Sequence, residues 1–413
     1  MTSDVDAELE RIRRERKARE ASHGGNRHAL SAGLNVWNAG NDTAAPPPRG
    51  WLLGNTFCRR FLSSLIRDGG VGKTAVRYAQ ALALATGRDL TGEHVFQRAR
   101  VLIISLEDDA DELRRRILAA RLHFNIPASD LDGWLFLSSP GAAAGKLMTT
   151  DQKGRAVLGQ LAIHLETGIV ANKIDLVLLD PFVKSHSVDE NLNSLIDDVA
   201  QVLSDLAAKY DIAIDLPHHI SKGVADPGNA NRGRGASSLV NACRLVSTLT
   251  PMSPEEAKTF GIPEEDRRLY VRVDRAKVNI ARAAGGAKWF RLVGVPLGNA
   301  TDLYTAGDEV QTAEPWKPPE TWADIDKPMA NLILGKIGLG LGDGNFYTDA
   351  ARAGEREAWR VVQADVPSKS EKQAREVVKS WVRNGVLVSF LYDNPITRKS
   401  VRGLKVDDEK RPS

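Results

Sequence analysis

Cysteine is scarce in this chain: Cys58 and Cys243 are the only two among 413 residues. That is too few for a disulfide framework or a cysteine-based zinc site. No apolar run approaches the ~20 residues that span a bilayer, and the acidic start Met1-Thr2-Ser3-Asp4 lacks a signal-peptide core. These absences point to a cytoplasmic protein with no membrane partner. Charge of one sign is also lacking. A net charge of +3 is too small to argue for nucleic acid, so what matters is where the basic residues lie. What remains is ordinary globular composition, 42% hydrophobic and 26% charged, at a length that suits two or three domains.

The chain divides by texture. Residues 1–45 combine a charged, helix-prone stretch with a Gly/Asn/Ala/Pro-rich passage, and read as an arm with little to bury. From Trp51, short apolar runs alternate with amphipathic stretches, the pattern of a parallel α/β sheet. Strands are expected at Phe61–Ile66, Val101–Leu106, Ile174–Leu179, Ile212–Leu216 and Leu269–Val273, the last followed by a hairpin to Trp289–Val293. This core occupies 46–296. Residues 297–325, with Pro315-Trp316-Lys317-Pro318-Pro319, read as a linker. A smaller module follows over 326–406, with a tail at 407–413. Its clearest helix is Glu371–Asn384, apolar at Ala374, Val377, Val378, Trp381 and Val382. Strands Val386–Tyr392 and Ser400–Lys405 follow, so the module is expected to be winged-helix-like.

The strongest chemical signal is Asp68-Gly69-Gly70-Val71-Gly72-Lys73-Thr74-Ala75, between an apolar strand and the amphipathic helix Ala75–Ala85. Glycines let backbone N–H groups curl around phosphate oxygens at the positive end of a helix. Lys73 then reaches the β- and γ-phosphates of ATP, and the Thr74 hydroxyl ligates Mg²⁺. The usual motif opens on Gly where this chain has Arg67. That side chain either crowds the loop or contacts a neighbouring subunit.

Asp180 ends an apolar strand 107 residues after Lys73 and suits a water-mediated hold on Mg²⁺. Pro181 follows it, so the water-activating carboxylate must come from elsewhere. Glu107 is the candidate, at the end of a strand expected to lie beside the P-loop strand. Asp108 and Asp109 next to it suit a helix N-cap. His218 and His219 follow the fourth strand, where a histidine can sense the γ-phosphate. Arg244 and Arg116 sit in otherwise apolar contexts and are candidates for charge stabilisation on phosphate. Lys222, Arg232 and Arg234 lie on or beside a Gly/Asn-rich loop and are DNA-contact candidates. In the last module, Lys372, Arg375, Lys379 and Arg383 line one helix face, and Arg398, Lys399, Arg402 and Lys405 stud the hairpin.

Taken together, residues of about 51–293 resemble the RepA-type hexameric replicative DNA helicases of plasmids, phages and integrative elements, within the RecA-like superfamily of P-loop ATPases. The resemblance runs through Gly69–Thr74, Leu106-Glu107-Asp108, Leu178-Leu179-Asp180, His218-His219-Ile220-Ser221-Lys222-Gly223 and Arg234-Gly235-Ala236-Ser237-Ser238-Leu239-Val240. It continues through Met252-Ser253-Pro254-Glu255-Glu256-Ala257, Asp266–Arg272 and Lys277-Val278-Asn279. It implies an α/β, RecA-like core with a mainly parallel sheet, ATP and Mg²⁺ as cofactors, and a homo-hexamer on single-stranded DNA served by an initiator or loader protein. In its terms Lys73 binds phosphate, Glu107 is the catalytic carboxylate, Asp180 the metal aspartate, His219 the γ-phosphate sensor and Arg244 a finger acting in trans. Arg116 falls close to the nucleotide. Related helicases read Lys-x-Arg where this chain has Lys277-x-Asn279, consistent with the finger having moved to Arg244. Two other readings stay open. A partition-type ATPase shares the Gly-Gly-Val-Gly-Lys-Thr run but places a Lys where this chain has Asp68. A DNA-binding regulator would use ATP as an oligomerisation switch.

Overall fold

A computed structural model describes the chain apart from residues 1–36, 69–71, 153–154, 190–191, 221–235, 261, 282–285, 319–320, 322–323 and 413. It divides into two units: the described residues up to Thr250 with Val271–Pro315, and Pro251–Tyr270 with the residues from Trp316 onward.

Alternation along the apolar strands builds the first unit. The strands are β1 Trp51–Leu53, β2 Phe57–Cys58, β3 Leu62–Asp68, β4 Val101–Ser105, β5 Leu135–Ser138, β6 Met148–Thr150, β7 Ala156–Leu158, β8 Leu176–Asp180, β9 Ala213–Asp215, β10 His218–Ile220, β11 Leu245–Pro251, β12 Tyr270–Val278, β13 Lys288–Pro296 and β14 Glu309–Trp316. The helices are α1 Lys73–Thr86, α2 Ala110–His123, α3 Gln160–Asn172, α4 Asn193–Tyr210 and α5 Ala236–Ala242. Val101, Ile103, Leu176 and Leu178 face one way and pack with Leu82 of α1 and Ile117 of α2. Their neighbours Leu102, Ile104, Val177 and Leu179 face the other way, with Leu165 of α3 and Leu203 of α4. Strands buried on both faces read as continuous apolar runs, the mark of a parallel sheet covered by helices.

The main sheet runs β14-β13-β12-β11-β3-β9-β8-β4-β5, with β10 also on β3. The pairs β11–β3, β3–β9, β9–β8, β8–β4 and β4–β5 are parallel. Strands β9 and β10 hold one register against β3, Ser63 opposite Asp215 and Ile66 opposite His218. They are one line interrupted at Pro217, which has no N–H to give the ladder. The fold is therefore α/β with a large, mostly parallel sheet.

Three sequence expectations change here. β4 does not lie beside the P-loop strand β3, because β9 and β8 stand between them. The supposed linker 297–325 contains β14, which extends the sheet from β13. Its covered centre, the adjacent pair Thr312 and Ala313, was hidden beside Pro315 and among charges. The segment 251–270, read as part of the ATPase core, groups with the second unit.

The second unit contains α6 Pro254–Phe260, α7 Lys327–Leu339, α8 Trp359–Asp365, α9 Glu371–Arg383 and the antiparallel hairpin β15 Leu387–Asp393 with β16 Ser400–Val406. Ile333, Leu334, Val362, Val377, Trp381, Leu387 and Leu404 close its own core. Ser370 and Gln373 cap α9 reciprocally, the Gln373 N–H on Ser370 Oγ and the Ser370 N–H on Gln373 Oε1. Among the described residues no helix is long and apolar enough to cross a membrane.

Candidate nucleotide site

The site starts where β3 hands over to α1. Gly69, Gly70 and Val71 lie outside the described residues, as do Lys222, Arg232 and Arg234. Asp68 is described only as the backbone end of β3. Gly72 adopts φ 88°, the left-handed region that favours glycine. A Cβ there would also sit 3.0 Å from Leu292 Cδ2. Its carbonyl accepts the Val76 N–H at 2.9 Å, so α1 begins at once with Lys73, Thr74 and Ala75 in its first turn.

That turn delivers two side chains to one carboxylate. Lys73 Nζ lies 3.1 Å from Asp180 Oδ1, and Thr74 Oγ1 donates to Asp180 Oδ2 at 3.0 Å. Lys73 and Asp180 are both buried. A hydroxyl, a carboxylate and an ammonium converging at the head of a P-loop helix fit a magnesium–triphosphate. Thr74 would ligate the ion, Asp180 would hold its water, and Lys73 would turn to phosphate.

Glu107 reaches the same end of the sheet through β8 and not through β3. Ser105 stands opposite Asp180 in the ladder, and the Leu106 N–H donates to the Asp180 carbonyl at 2.9 Å. The side chain of Glu107 is exposed and pairs with no cation among the described residues. Asp109 caps α2, accepting from the Glu112 N–H at 2.7 Å. Asp108 is held by Arg116, whose Nε lies 3.0 Å from Oδ2, and burial raises the Asp108 carboxyl above its ordinary range. Arg116 also meets Glu112 at 3.0 Å. Its charge is thus held by Asp108, next to Glu107, and by Glu112 in the first turn of α2.

His219 contributes backbone to β10 opposite Arg67; its side chain lies outside the described set. His218 is buried, its ring 6.0 Å from that of Phe182.

Arg244 is at the other end of the sheet. Its N–H donates to Leu62 O at 3.1 Å, at the start of β3, while the P-loop follows the end of that strand. Seven extended residues separate the two by about 20 Å. Arg244 is exposed. Its carbonyl accepts the Asn279 N–H at 3.2 Å, so the Lys277-x-Asn279 element and Arg244 share one place on the surface. Lys277 is occupied there, donating to the carbonyls of Val240 and Asn241 at 2.8 and 2.9 Å, where α5 ends.

Sequence reading missed three groups. Arg77, one turn beyond Lys73 on α1, is fully buried in a bidentate pair with Asp215, Nε to Oδ2 at 2.8 Å and Nη2 to Oδ1 at 2.9 Å. Ser63 also donates to Asp215, at 2.6 Å. The signal was present, since a carboxylate inside the apolar run Ile212–Leu216 demands a partner. Tyr78 is buried with a hydroxyl that has no hydrogen-bond partner among the described residues. Burial, then the nearby charges of Asp180 and Asp108, push its phenol far above the ordinary range. His186 lies beyond Asp180 with its ring 4.9 Å from Phe182, and burial lowers it to about 4.

In the second unit, the DNA-contact candidates separate. Arg375 is engaged internally, by Glu371 at 2.8 Å and by Glu357, and Lys379 meets Glu376 at 3.1 Å. Arg398 and Lys399 are exposed at the hairpin turn.

Residues 28–225 match the family model described as an AAA domain. A solved structure of a KaiC-like protein from the hyperthermophilic archaeon Pyrococcus horikoshii is similar at 12% identity and a TM-score of 0.36, over 57% of this chain and 87% of that one. The family match, with Lys73 and Thr74 set on Asp180, supports a P-loop ATPase in this part of the chain.

Proposed function

We propose that the protein is a ring-forming, ATP-driven DNA helicase or translocase of a plasmid, phage or integrative element, in which Arg244 of one subunit completes the site of the next. The observation that carries this reading is the separation of Arg244 from Lys73 by the length of β3. An arginine at the far end of the sheet cannot stabilise phosphate in its own subunit, but it is exposed and available to a neighbour. Bound Mg²⁺ would neutralise charge developing on the transferred phosphoryl group. Lys73 would bind and orient phosphate, and Thr74 and Asp180 would hold the ion and its water. Glu107, free of any cation among the described residues, orients the attacking water. His219 senses the γ-phosphate from β10, and the loops beyond Asp180 and His219 grip single-stranded DNA. The assembly is a homo-hexamer, loaded by an initiator or loader protein.

The test is ATPase and strand-displacement activity on protein of known solution mass. The reading expects a ring whose hydrolysis rises with single-stranded DNA and is abolished by Lys73→Ala. A monomer indifferent to single-stranded DNA that binds duplex would favour the regulator instead.

A further inference from the structure

In a helix-and-hairpin unit the basic helix is the obvious candidate for meeting DNA. The side chains here say otherwise. All four cations of α9 are engaged inside the unit. Arg375 pairs with Glu371 and with the buried Glu357, and stacks over Trp359 at 5.1 Å. Lys379 lies 3.1 Å and Arg383 3.8 Å from Glu376, and Lys372 donates to the Glu255 carbonyl of α6 at 3.5 Å. Phosphate would have to compete with each of these contacts.

The hairpin differs in every respect. Arg398, Lys399, Arg402 and Lys405 are exposed, and none is paired with a carboxylate among the described residues. The one acidic residue between Leu387 and Val406 is Asp393. Arg402 stands opposite Leu391, and Lys405 opposite Val388. Their odd spacing puts these two cations on opposite faces of the ribbon. At the turn, Leu391 and Ile396 are 73% and 74% exposed, so the tip is apolar as well as cationic.

This tip is held rigidly. Asn394 Oδ1 accepts the N–H groups of Ile396 and Thr397 at 3.0 and 2.8 Å, and the Arg398 N–H donates to Asn394 O at 2.8 Å. The Asn394 amide donates to Asn345, and Tyr392 packs edge-on against Phe346 at 5.0 Å. Arg356 lies over Tyr392 and donates to the carbonyls of Phe346 and Arg402. A Cβ on Gly403 would fall 2.8 Å from Phe346 Cβ, so this position must be glycine for the ring to close over the strand.

We propose that the β15–β16 hairpin, and not α9, is a binding element for duplex DNA, entering a groove with its cations on the phosphates of both walls. A two-stranded ribbon fits the major groove of B-form DNA. Cations on both faces suit two phosphate walls, where a single strand offers one. The Asn394 side chain is spent inside the turn, and those of Arg398 and Arg402 make no hydrogen bond among the described residues that would aim them at bases, so recognition is of backbone and groove shape. The apolar tip meets sugars and base edges. This goes beyond the proposed motor activity and does not depend on it.

The experiment is fluorescence anisotropy of the full-length protein without nucleotide, on a labelled duplex of arbitrary sequence, across a salt series. Single-stranded DNA and duplex RNA serve as comparison probes. Wild type should bind the DNA duplex with a steep salt dependence. R398A/K399A/R402A/K405A should weaken it about tenfold or more and flatten the log–log salt slope by about 3. K379A/R383A should stay within about twofold of wild type. Equal melting temperatures would show that all variants fold. Unaltered duplex binding by the hairpin variant overturns the proposal, as does a loss confined to single-stranded DNA or to duplex RNA, or a larger loss in the helix variant.

Discussion

The backbone N–H of Arg244 donates to Leu62 O at 3.1 Å, which fixes this arginine at the foot of the strand whose head carries the P-loop. Lys73, Thr74, Asp180 and Glu107 gather at the head. The candidate site within one chain therefore holds an ammonium, a hydroxyl and carboxylates but no described arginine free of carboxylates, Arg116 being held by Asp108 and Glu112.

Glu107→Gln should lower the hydrolysis rate by about 10²–10⁴-fold while leaving nucleotide binding intact, since it removes a base and not a phosphate ligand. Because the side chain is exposed and unpaired among the described residues, stability should change by no more than about 0.5 kcal/mol. Single-turnover hydrolysis beside calorimetric nucleotide binding checks both parts.

Arg77→Ala should be far more damaging to the fold than any surface arginine. It leaves the fully buried Asp215 carboxylate with Ser63 as its one remaining side-chain partner among the described residues. Removing one partner of such a pair costs roughly 3–5 kcal/mol. Denaturant unfolding measures the loss, and a change below about 1 kcal/mol would refute the assignment of this pair as the internal anchor of α1.

Tyr78→Phe should stabilise the protein by up to about 1 kcal/mol, because it deletes a buried hydroxyl that has no partner among the described residues. The denaturation midpoint should rise. A fall would mean that the hydroxyl is satisfied in solution, with the Asp180–Asp108 side of α1 the place to look.

His186 makes stability depend on pH. Its folded-state pKa, about 4, lies below the ordinary 6.5 because burial against Phe182 disfavours the charged ring. Between these values the unfolded chain binds more protons than the folded one. Stability is therefore full above pH 6.5 and declines as pH falls toward 4. The loss reaches about 3 kcal/mol for this one group. His186→Gln should melt with a shallower pH dependence than wild type across that window; identical slopes would contradict the prediction.

Much of this was legible in the residues. Apolar runs ending in Asp68 and Asp180 and the Gly-Lys-Thr turn announce themselves, because both faces of a parallel strand must be apolar and phosphate must meet backbone. Strand order was not legible. Nothing in Val101–Ser105 says that β8 and β9 separate it from β3, since pairing is decided by crossovers over long stretches of chain. β14 was obscured by Pro315 and the charges around it. The engagement of Arg375 on α9 was not legible for another reason: charge is visible in sequence, while its partner Glu357, in a separate segment, is not.

The most direct test of the account mixes two inactive proteins. Lys73→Ala subunits lack a working P-loop but keep Arg244; Arg244→Ala subunits keep the P-loop but lack the arginine. Each alone should hydrolyse no ATP, while Arg244→Ala should still bind it. Co-assembled with single-stranded DNA, the mixture should regain measurable hydrolysis, because each intact P-loop can then meet an Arg244 from the adjacent subunit. Mixed assemblies that stay inactive, or an Arg244→Ala protein that hydrolyses ATP normally, would contradict a site shared between subunits.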